Sequence, residues 1–275
     1  MFKKAFRLLV HDRKSLRGLI KFKLMDRWCR LHSNSGFYCQ GRMDLDPKSW
    51  WHNAGFVSTT GGYFVPGDRV VRKMSLLEPW DNVRRDMIIL LLRDLLVRKV
   101  EGDLAELGVY RGYSARLIHH YLPERKFYLF DTFTGFDERD VKAEIATTGR
   151  KETTVAFSQT GVEKALANIA PQNSNVEVFP GYFPESAPPF LSGKKFAFVH
   201  LDADLYEPML AGLAFFYDRV VPGGYILTHD FNSWPGSRKA VQEFFRDKPE
   251  IPLPMPDKSG SALIVKARCG SAVPA

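Results

Sequence analysis

From residue 104 onward, short apolar segments alternate with stretches of helical periodicity. The apolar segments are predicted as strands at residues 104–109, 127–130, 176–179, 196–201, 225–228 and 262–266. Helical patterns lie between them, at residues 114–121, 161–169, 208–217 and 237–245. Apolar strands separated by helices are typical of a parallel sheet covered on both faces. The pattern therefore predicts an α/β fold with a doubly wound, mostly parallel sheet.

Residues 1–75 lack this pattern and are predicted to form an amino-terminal extension. Residues 1–30 contain ten Lys or Arg against two Asp, a net charge of +8 that equals the charge of the whole chain. Their apolar residues recur at helical spacing, which indicates a basic helix that packs on the main domain or on a second subunit, or a peripheral anchor on anionic lipid. Residues 31–68 are rich in Gly, Ser, Asn and aromatic residues and are predicted to be loops, either a lid over an acceptor or packing against the core. Residues 76–100 again show helical spacing.

The composition is that of a soluble globular protein, with 45% hydrophobic residues. The longest strictly apolar run, residues 87–92, is far shorter than the roughly 20 residues that cross a bilayer. Three cysteines without metal-type spacing indicate neither a disulfide framework nor a zinc site. We expect a cytoplasmic protein, with attachment to the inner membrane surface if the basic segment binds lipid. Nucleic acid is disfavoured as a partner because the positive charge is confined to one segment.

The first predicted strand leads into a glycine-containing turn with the sequence AELGVYRGYS. Gly108 and Gly112 bracket a tight turn into a helix, where backbone can approach a ligand and free N–H groups favour anions. The spacing G-x-x-x-G is not that of a nicotinamide dinucleotide site, and Glu106 suits a cationic ligand. Asp131 ends the next strand, where a carboxylate can accept both ribose hydroxyl hydrogens, although a cap or turn aspartate is the simpler role for it alone. Together these residues indicate S-adenosylmethionine as the cofactor.

Two carboxylates, Asp202 and Asp204, follow the strand in FAFVHLDADLYEP, and His229 and Asp230 end the next strand. Adjacent strand tips lie roughly 5 Å apart, and ligands of such sheets bind beyond the carboxyl ends of the strands. Asp202, His229 and Asp230 are therefore predicted to converge on one cation, for which oxygen ligands favour Mg²⁺. Asp204 would remain free as a general base. A helix cap or a loop aspartate would account for one of these residues but not for the whole group.

These motifs, taken in order, resemble the macrocin O-methyltransferase family, whose members transfer methyl groups from S-adenosylmethionine to sugar hydroxyls. The resemblance spans about residues 76–247 and rests on GDLAELGVYRGYSARL, LFDTFTGF, FPGYFPES, HLDADLYEPMLAGL, VVPGGYILTHDF and WPGSRKAVQEF. It implies the Rossmann-like class I methyltransferase fold for residues 76–275. It also implies a sugar hydroxyl of a glycoside or polysaccharide precursor as the acceptor, and a homodimer.

The resemblance assigns roles to individual residues. Asp204 becomes the general base, and Asp202 and Asp230 become metal ligands, with His229 as the third predicted ligand. Cofactor contacts are implied for Glu106, Gly108, Tyr110, Gly112, Ser114, Asp131 and Gly181. The family has two adjacent aspartates where this chain has His229 and Asp230, and an imidazole suits softer metals than Mg²⁺, so another divalent cation is an alternative. A catechol or phenol methyltransferase and a non-catalytic cofactor-binding scaffold also remain open.

Overall fold

The computed structural model describes residues 81–169, 171 and 174–267, which all belong to one compact unit, Trp80–Ala275. The strands of these residues are β1 Asp103–Leu107, β2 Phe127–Asp131, β3 Val176–Pro180, β4 Phe196–Leu201, β5 Val220–Thr228, β6 Leu253–Pro254 and β7 Ala262–Val265. They form one sheet in the order β3-β2-β1-β4-β5-β7-β6. Strands β1 to β5 are parallel, whereas β7 runs antiparallel to both β5 and β6. The predicted mostly parallel sheet is confirmed.

Helices cover both faces of the sheet. They are α1 Asn82–Val97, α2 Tyr113–Tyr121, α3 Glu138–Thr148, α4 Val162–Ile169, α5 Tyr206–Phe216 and α6 Pro235–Phe244. Helix α2 contacts α1 and α4, while α3, α5 and α6 contact one another. Because side chains alternate along a strand, Ala105 and Leu107 pack in the core with Met209 and Phe216 of α5, while Leu104 is buried on the opposite face. Both faces are thus apolar, as expected for a parallel sheet.

Helix α3 and strand β6 escaped the sequence prediction, and strand β5 begins five residues earlier than predicted. Helix α3 is highly charged and has only Asp140 and Glu144 as buried residues, so it carries no apolar stripe. Strand β6 is two residues long and contains a proline, so it has no sequence pattern from which a strand could be predicted. Strand β5 begins at Val220 rather than at residue 225, because the segment VVPGG continues the strand despite its turn-forming residues.

The predicted basic segment and the predicted lid lie outside the described residues, so these predictions remain untested. Among the helices of the described residues, none combines the length and apolar character needed to cross a bilayer. The functional residues predicted from the sequence, in contrast, all fall within the described part of the chain.

Candidate functional site

The carboxyl ends of β1 and β4 meet at the centre of the sheet. The backbone N–H of Asp202 donates to the carbonyl of Leu107 over 2.8 Å, which brings Gly108 against Asp202. Gly108 has φ +87°, and a Cβ at this position would lie 2.0 Å from the carbonyl oxygen of Asp202. The glycine is therefore required for close packing of two strand tips, in addition to any approach to a ligand.

Asp131 organises the glycine turn from the tip of β2. Its Oδ2 accepts hydrogen bonds from the backbone N–H groups of Val109 and Tyr110, both over 2.8 Å, and its Oδ1 accepts one from Phe133 over 2.6 Å. Burial raises the pKa of Asp131, and the three backbone hydrogen bonds act in the opposite direction. Oδ2 already accepts two hydrogen bonds, whereas Oδ1 accepts one, so Asp131 can hold the turn and still accept from a ribose hydroxyl through the second lone pair of Oδ1.

The other residues predicted to contact the cofactor surround Asp131. Tyr110, at φ +47°, and Gly112, at φ +76°, form the turn before α2, and Ser114 is buried in the first turn of that helix. The N–H of Gly181 donates to the carbonyl of Asp131 over 2.9 Å, which places the tip of β3 beside that of β2. The tips of three neighbouring strands thus bring these residues together, while their contact with a cofactor remains a prediction.

Glu106 lies inside β1 and pairs with His200 of β4. The two residues are opposite each other in the sheet, both side chains are completely buried, and Glu106 Oε1 is 2.7 Å from His200 Nδ1. Oε2 of Glu106 is also buried and has no hydrogen-bond partner among the described residues. Glu106 was predicted from the sequence as a ligand contact, but its partner His200 was not. Because His200 lies within an apolar strand, the sequence pattern does not distinguish it from an ordinary core residue.

Arg84 of α1 connects His200 to Asp202. Its Nη2 lies 2.5 Å from Asp202 Oδ2 and 3.4 Å from His200 Nε2. A guanidinium only donates, so His200 Nε2 accepts and His200 Nδ1 carries the proton that it shares with Glu106. Arg84 was not predicted from the sequence, although an arginine at the start of a helix with a long apolar run is a signal that could have identified it.

Asp202, His229 and Asp230 come together as predicted. His229 Nδ1 lies 2.8 Å from Asp202 Oδ1 and 2.8 Å from Asp230 Oδ2. Although burial has the opposite effect, the charge of Asp202 raises the pKa of His229 to about 9. Burial raises the pKa of Asp202, but the positive charges of Arg84 and His229 outweigh this effect and hold the pKa well below its usual value. The proton on His229 Nδ1 therefore lies between two buried carboxylates, those of Asp202 and Asp230.

Asp204 differs electrostatically from its neighbours. It follows β4 at φ +58°, and burial, the charge of Asp202 and a hydrogen bond with Asp230 raise its pKa well above the usual value. The pKa of Asp230 is lowered by the hydrogen bond from His229, against the effect of burial. Carboxylates whose pKa values are driven apart in this way are typical of acid–base sites.

A model of the macrocin-O-methyltransferase (TylF) family matches residues 82–263, more than half of the chain. The chain belongs to this family. The resemblance found in the sequence motifs is thereby confirmed, and the match includes every site residue that was predicted from the sequence.

Curated relatives of this macrocin-O-methyltransferase family member are named as O-methyltransferases of a novobiocin derivative and of mycinamicin III. The demethyldecarbamoylnovobiocin O-methyltransferase of Streptomyces niveus is 27% identical over 165 residues, which cover 56% of this chain and 62% of the relative. The mycinamicin III 3''-O-methyltransferase of Micromonospora griseorubida is 28% identical over 162 residues, which cover 54% and 62%. The chain therefore spans about three fifths of the length of these two relatives.

Solved structures confirm the fold of this family member. The O-methyltransferase NovP superposes with a TM-score of 0.58 at 24% identity, over 67% of this chain and 80% of that one. The calicheamicin methyltransferase CalS11 superposes with a TM-score of 0.52 at 23% identity, over 73% and 86%. The class I methyltransferase fold predicted from the sequence is thus correct.

Two carboxylates that the sequence analysis did not single out lie on the other side of His229. One ligand atom each of Asp81, His229 and Asp257 lies within 4.8 Å of the other two, and all three residues are buried. Asp81 precedes α1, and Asp257 lies in the loop before β7. Neither position belongs to a motif, and only the folded chain brings them to the tip of β5.

Proposed function

We propose that this protein is an S-adenosylmethionine-dependent O-methyltransferase whose acceptor is a sugar hydroxyl of a glycoside or polysaccharide precursor. The observation that carries the proposal is the position of Asp204 beside Asp202 and Asp230, at the same sheet edge as the turn held by Asp131. A nucleoside-binding turn and an acid–base group at adjacent strand tips are the two parts that a methyl transfer requires. Membership of the family supports the same conclusion.

The cofactor would lie across the tips of β1 and β2. The turn at Gly108 would present backbone to the ligand, and Oδ1 of Asp131 would accept from a ribose hydroxyl. Oε2 of Glu106, which has no partner among the described residues, is the acceptor available for a cationic group of the cofactor. In the sheet, β4 lies next to β1, so the charged cluster at the tips of β4 and β5 adjoins the turn that would hold the cofactor.

Asp204 would act as the general base. Its carboxylate takes the proton of the acceptor hydroxyl as the oxygen forms a bond to the sulfonium methyl group. The methyl carbon would part from sulfur in the same step, with S-adenosylhomocysteine as the leaving product. The acceptor oxygen, the methyl carbon and the sulfur must lie in line for this transfer. Holding the acceptor in that position is therefore the main contribution of the protein.

The carboxylates of Asp202 and Asp230 have the chemistry of Mg²⁺ ligands. Their oxygens accept from Arg84, His229 and Ser233, but each retains a lone pair that a hard cation can use. A bound cation would orient the acceptor oxygen and neutralise the charges that keep the proton on Asp204. His229 Nδ1, which donates to both carboxylates, would hold them in place.

A sugar acceptor is supported by the names of the relatives. One of them, from Streptomyces olivaceus, is named as a 4'-O-methyltransferase of a dimethoxyrhamnosyl tetracenomycin and is 28% identical over 202 residues, which cover 69% of this chain and 75% of the relative. The arrangement of strand-tip aspartates would also suit a catechol, which is the second candidate within the same reaction class.

The deciding experiment is methyl transfer from isotopically labelled S-adenosylmethionine to a panel of acceptors, with and without Mg²⁺. The panel pairs each glycoside with a deoxy analogue that lacks one hydroxyl, and includes a catechol. We expect label on the glycoside and not on its matched deoxy analogue. Transfer to the catechol alone would replace the sugar assignment. Cofactor binding without transfer to any member of the panel would favour the non-catalytic scaffold.

A further inference from the structure

We infer that Asp81, His229 and Asp257 form a second cation site, selective for a divalent transition metal and separate from the carboxylates of Asp202 and Asp230. The site lies on the Nε2 side of the His229 ring. It does not depend on the proposed methyl transfer, because it uses donor atoms that the proposed reaction leaves unused.

Two residues of this site each have a buried side-chain atom without a partner. Oδ2 of Asp81 and Nε2 of His229 are buried and have no hydrogen-bond partner among the described residues. Asp81 is 3% exposed, His229 7% and Asp257 6%, so bulk water does not solvate these atoms. His229 Nε2 lies 3.9 Å from Asp257 Oδ2, too far for a hydrogen bond and close enough for both atoms to share an ion. Unpaired polar atoms at this depth are costly unless a ligand pairs with them.

The hydrogen bonds on the opposite side of the ring prepare His229 for this role. Nδ1 lies 2.8 Å from one oxygen each of Asp202 and Asp230. Since carboxylates accept, Nδ1 keeps its proton, and Nε2 is the nitrogen that would bind the ion, after releasing the proton that the raised pKa of His229 keeps there. A metal-binding histidine commonly donates its other N–H to a carboxylate, which fixes the tautomer in this way.

The two carboxylates are also held in position. Oδ1 of Asp257 accepts from the backbone N–H of Ser261 over 2.7 Å, and Oδ2 accepts from its hydroxyl over 2.8 Å. Oδ1 of Asp81 accepts from the N–H of Arg84 over 3.1 Å, which leaves Oδ2 for an ion. The cation would join the start of α1, the tip of β5 and the loop before β7.

The donor set determines the kind of ion. One imidazole nitrogen with two carboxylate oxygens suits Mn²⁺, Co²⁺ or Zn²⁺ better than Mg²⁺, which prefers oxygen ligands and keeps its waters. Asp202 and Asp230 offer oxygens to a hard cation, whereas the Nε2 side offers nitrogen. The two sites are therefore expected to differ in metal preference. Co²⁺ is the probe for the site on the Nε2 side of His229, and Mg²⁺ is the probe for the carboxylates of Asp202 and Asp230.

The experiment uses the full chain, freed of metal with a chelator and titrated calorimetrically with Co²⁺ and, separately, with Mg²⁺. Asp257→Asn and Asp81→Asn are compared with Asp247→Asn, which changes an exposed aspartate. We expect each of the first two variants to weaken Co²⁺ binding by at least about tenfold, with Mg²⁺ binding within about twofold of the unmodified chain. Asp247→Asn should leave Co²⁺ binding unchanged.

Anomalous diffraction from crystals of the unmodified chain with Co²⁺ locates the ion even if a variant fails to fold. A peak bonded to His229 Nε2 and to oxygens of Asp81 and Asp257 supports the inference. A peak only between Asp202 and Asp230, no saturable Co²⁺ binding, or unchanged Co²⁺ binding in both folded variants overturns it. Failure of the methylation assay leaves these outcomes unaffected, so the two proposals fail separately.

Discussion

His200 Nδ1 lies 2.7 Å from Glu106 Oε1, and neither side chain is exposed to solvent. This pair accounts for one oxygen of Glu106 and leaves Oε2 without a partner among the described residues. A carboxylate that a histidine holds in one orientation can present its second oxygen to a ligand with little loss of side-chain entropy. Glu106 therefore has both a structural partner and a free acceptor.

Glu106→Gln tests the role of that free oxygen. Glutamine can keep the hydrogen bond with His200 through its carbonyl, but it places an NH₂ group where Oε2 was. We expect binding of S-adenosylhomocysteine to weaken by about 10- to 100-fold, the usual effect of losing a hydrogen bond to a charged group. Calorimetry measures the change, with the exposed Glu138→Gln as a control. Unchanged affinity would show that Glu106 serves only the pair with His200.

Gly108→Ala is expected to separate the tips of β1 and β4. Its Cβ would lie 2.0 Å from the carbonyl oxygen of Asp202, and the residue has φ +87°. We expect the free energy of unfolding to fall by about 3–5 kcal/mol, from the strained backbone together with the clash. Denaturant titration measures this value.

Gly149→Ala is the matched control for that experiment. Gly149 has a similar φ of +75°, but no atom of the described residues lies within 4 Å of an added Cβ. We expect a loss of only about 1–2 kcal/mol, the cost of a left-handed conformation alone. Equal losses in the two variants would mean that contact with Asp202 is not the reason for Gly108.

Asp204→Asn tests the general base. Asparagine keeps the size of the side chain but cannot take the proton of the acceptor, so kcat should fall by about 10²- to 10⁴-fold. Binding of S-adenosylhomocysteine should stay within about threefold, since the cofactor residues surround Asp131. Asp247→Asn provides a control with an exposed carboxylate. A kcat close to that of the unmodified chain would show that Asp204 is not the general base.

Asp140 provides a prediction for pH dependence away from the charged cluster. Burial raises the pKa of Asp140 to about 6, and the hydrogen bond from the Tyr182 hydroxyl, over 2.8 Å, acts in the opposite direction. Tyr182→Phe should therefore raise the pKa of Asp140 further, which carbon NMR of the carboxyl group can measure. Tyr113→Phe, at an exposed tyrosine, should leave it unchanged. A pKa that does not rise in Tyr182→Phe contradicts the assignment.

The stability of the protein should reflect the same shift. Because the folded state binds this proton more tightly than the unfolded chain, whose Asp has a pKa of 3.8, the contribution of Asp140 is fully present below about pH 4 and is lost as the pH rises through 6. Asp140→Asn should remove this part of the decline. Urea titration between pH 3.5 and 7 tests the sign, and an unchanged slope would exclude Asp140 as its source.

The order of strands and helices along the chain was predictable because local periodicity encodes it. Strand β4 has the predicted bounds, and the carboxyl-end position of Asp131, Asp202 and Asp230 follows directly from where the apolar runs stop. The motif order was sufficient to identify the family. Helix α3 and strand β6 were missed because neither has the apolar periodicity on which such predictions depend.

The partners of the predicted residues were decided only by the tertiary structure. His200 reads as one polar position within a strand, and its pairing with Glu106 depends on the register between β1 and β4. Arg84 reaches Asp202 across 118 positions of sequence, and Asp81 and Asp257, which lie far apart in the sequence, both come close to His229. Sequence spacing determines which residues share a face of a strand or helix. Long-range contacts depend instead on how those elements pack against one another. The proposed second cation site consists of such long-range contacts, so only the tertiary structure reveals it.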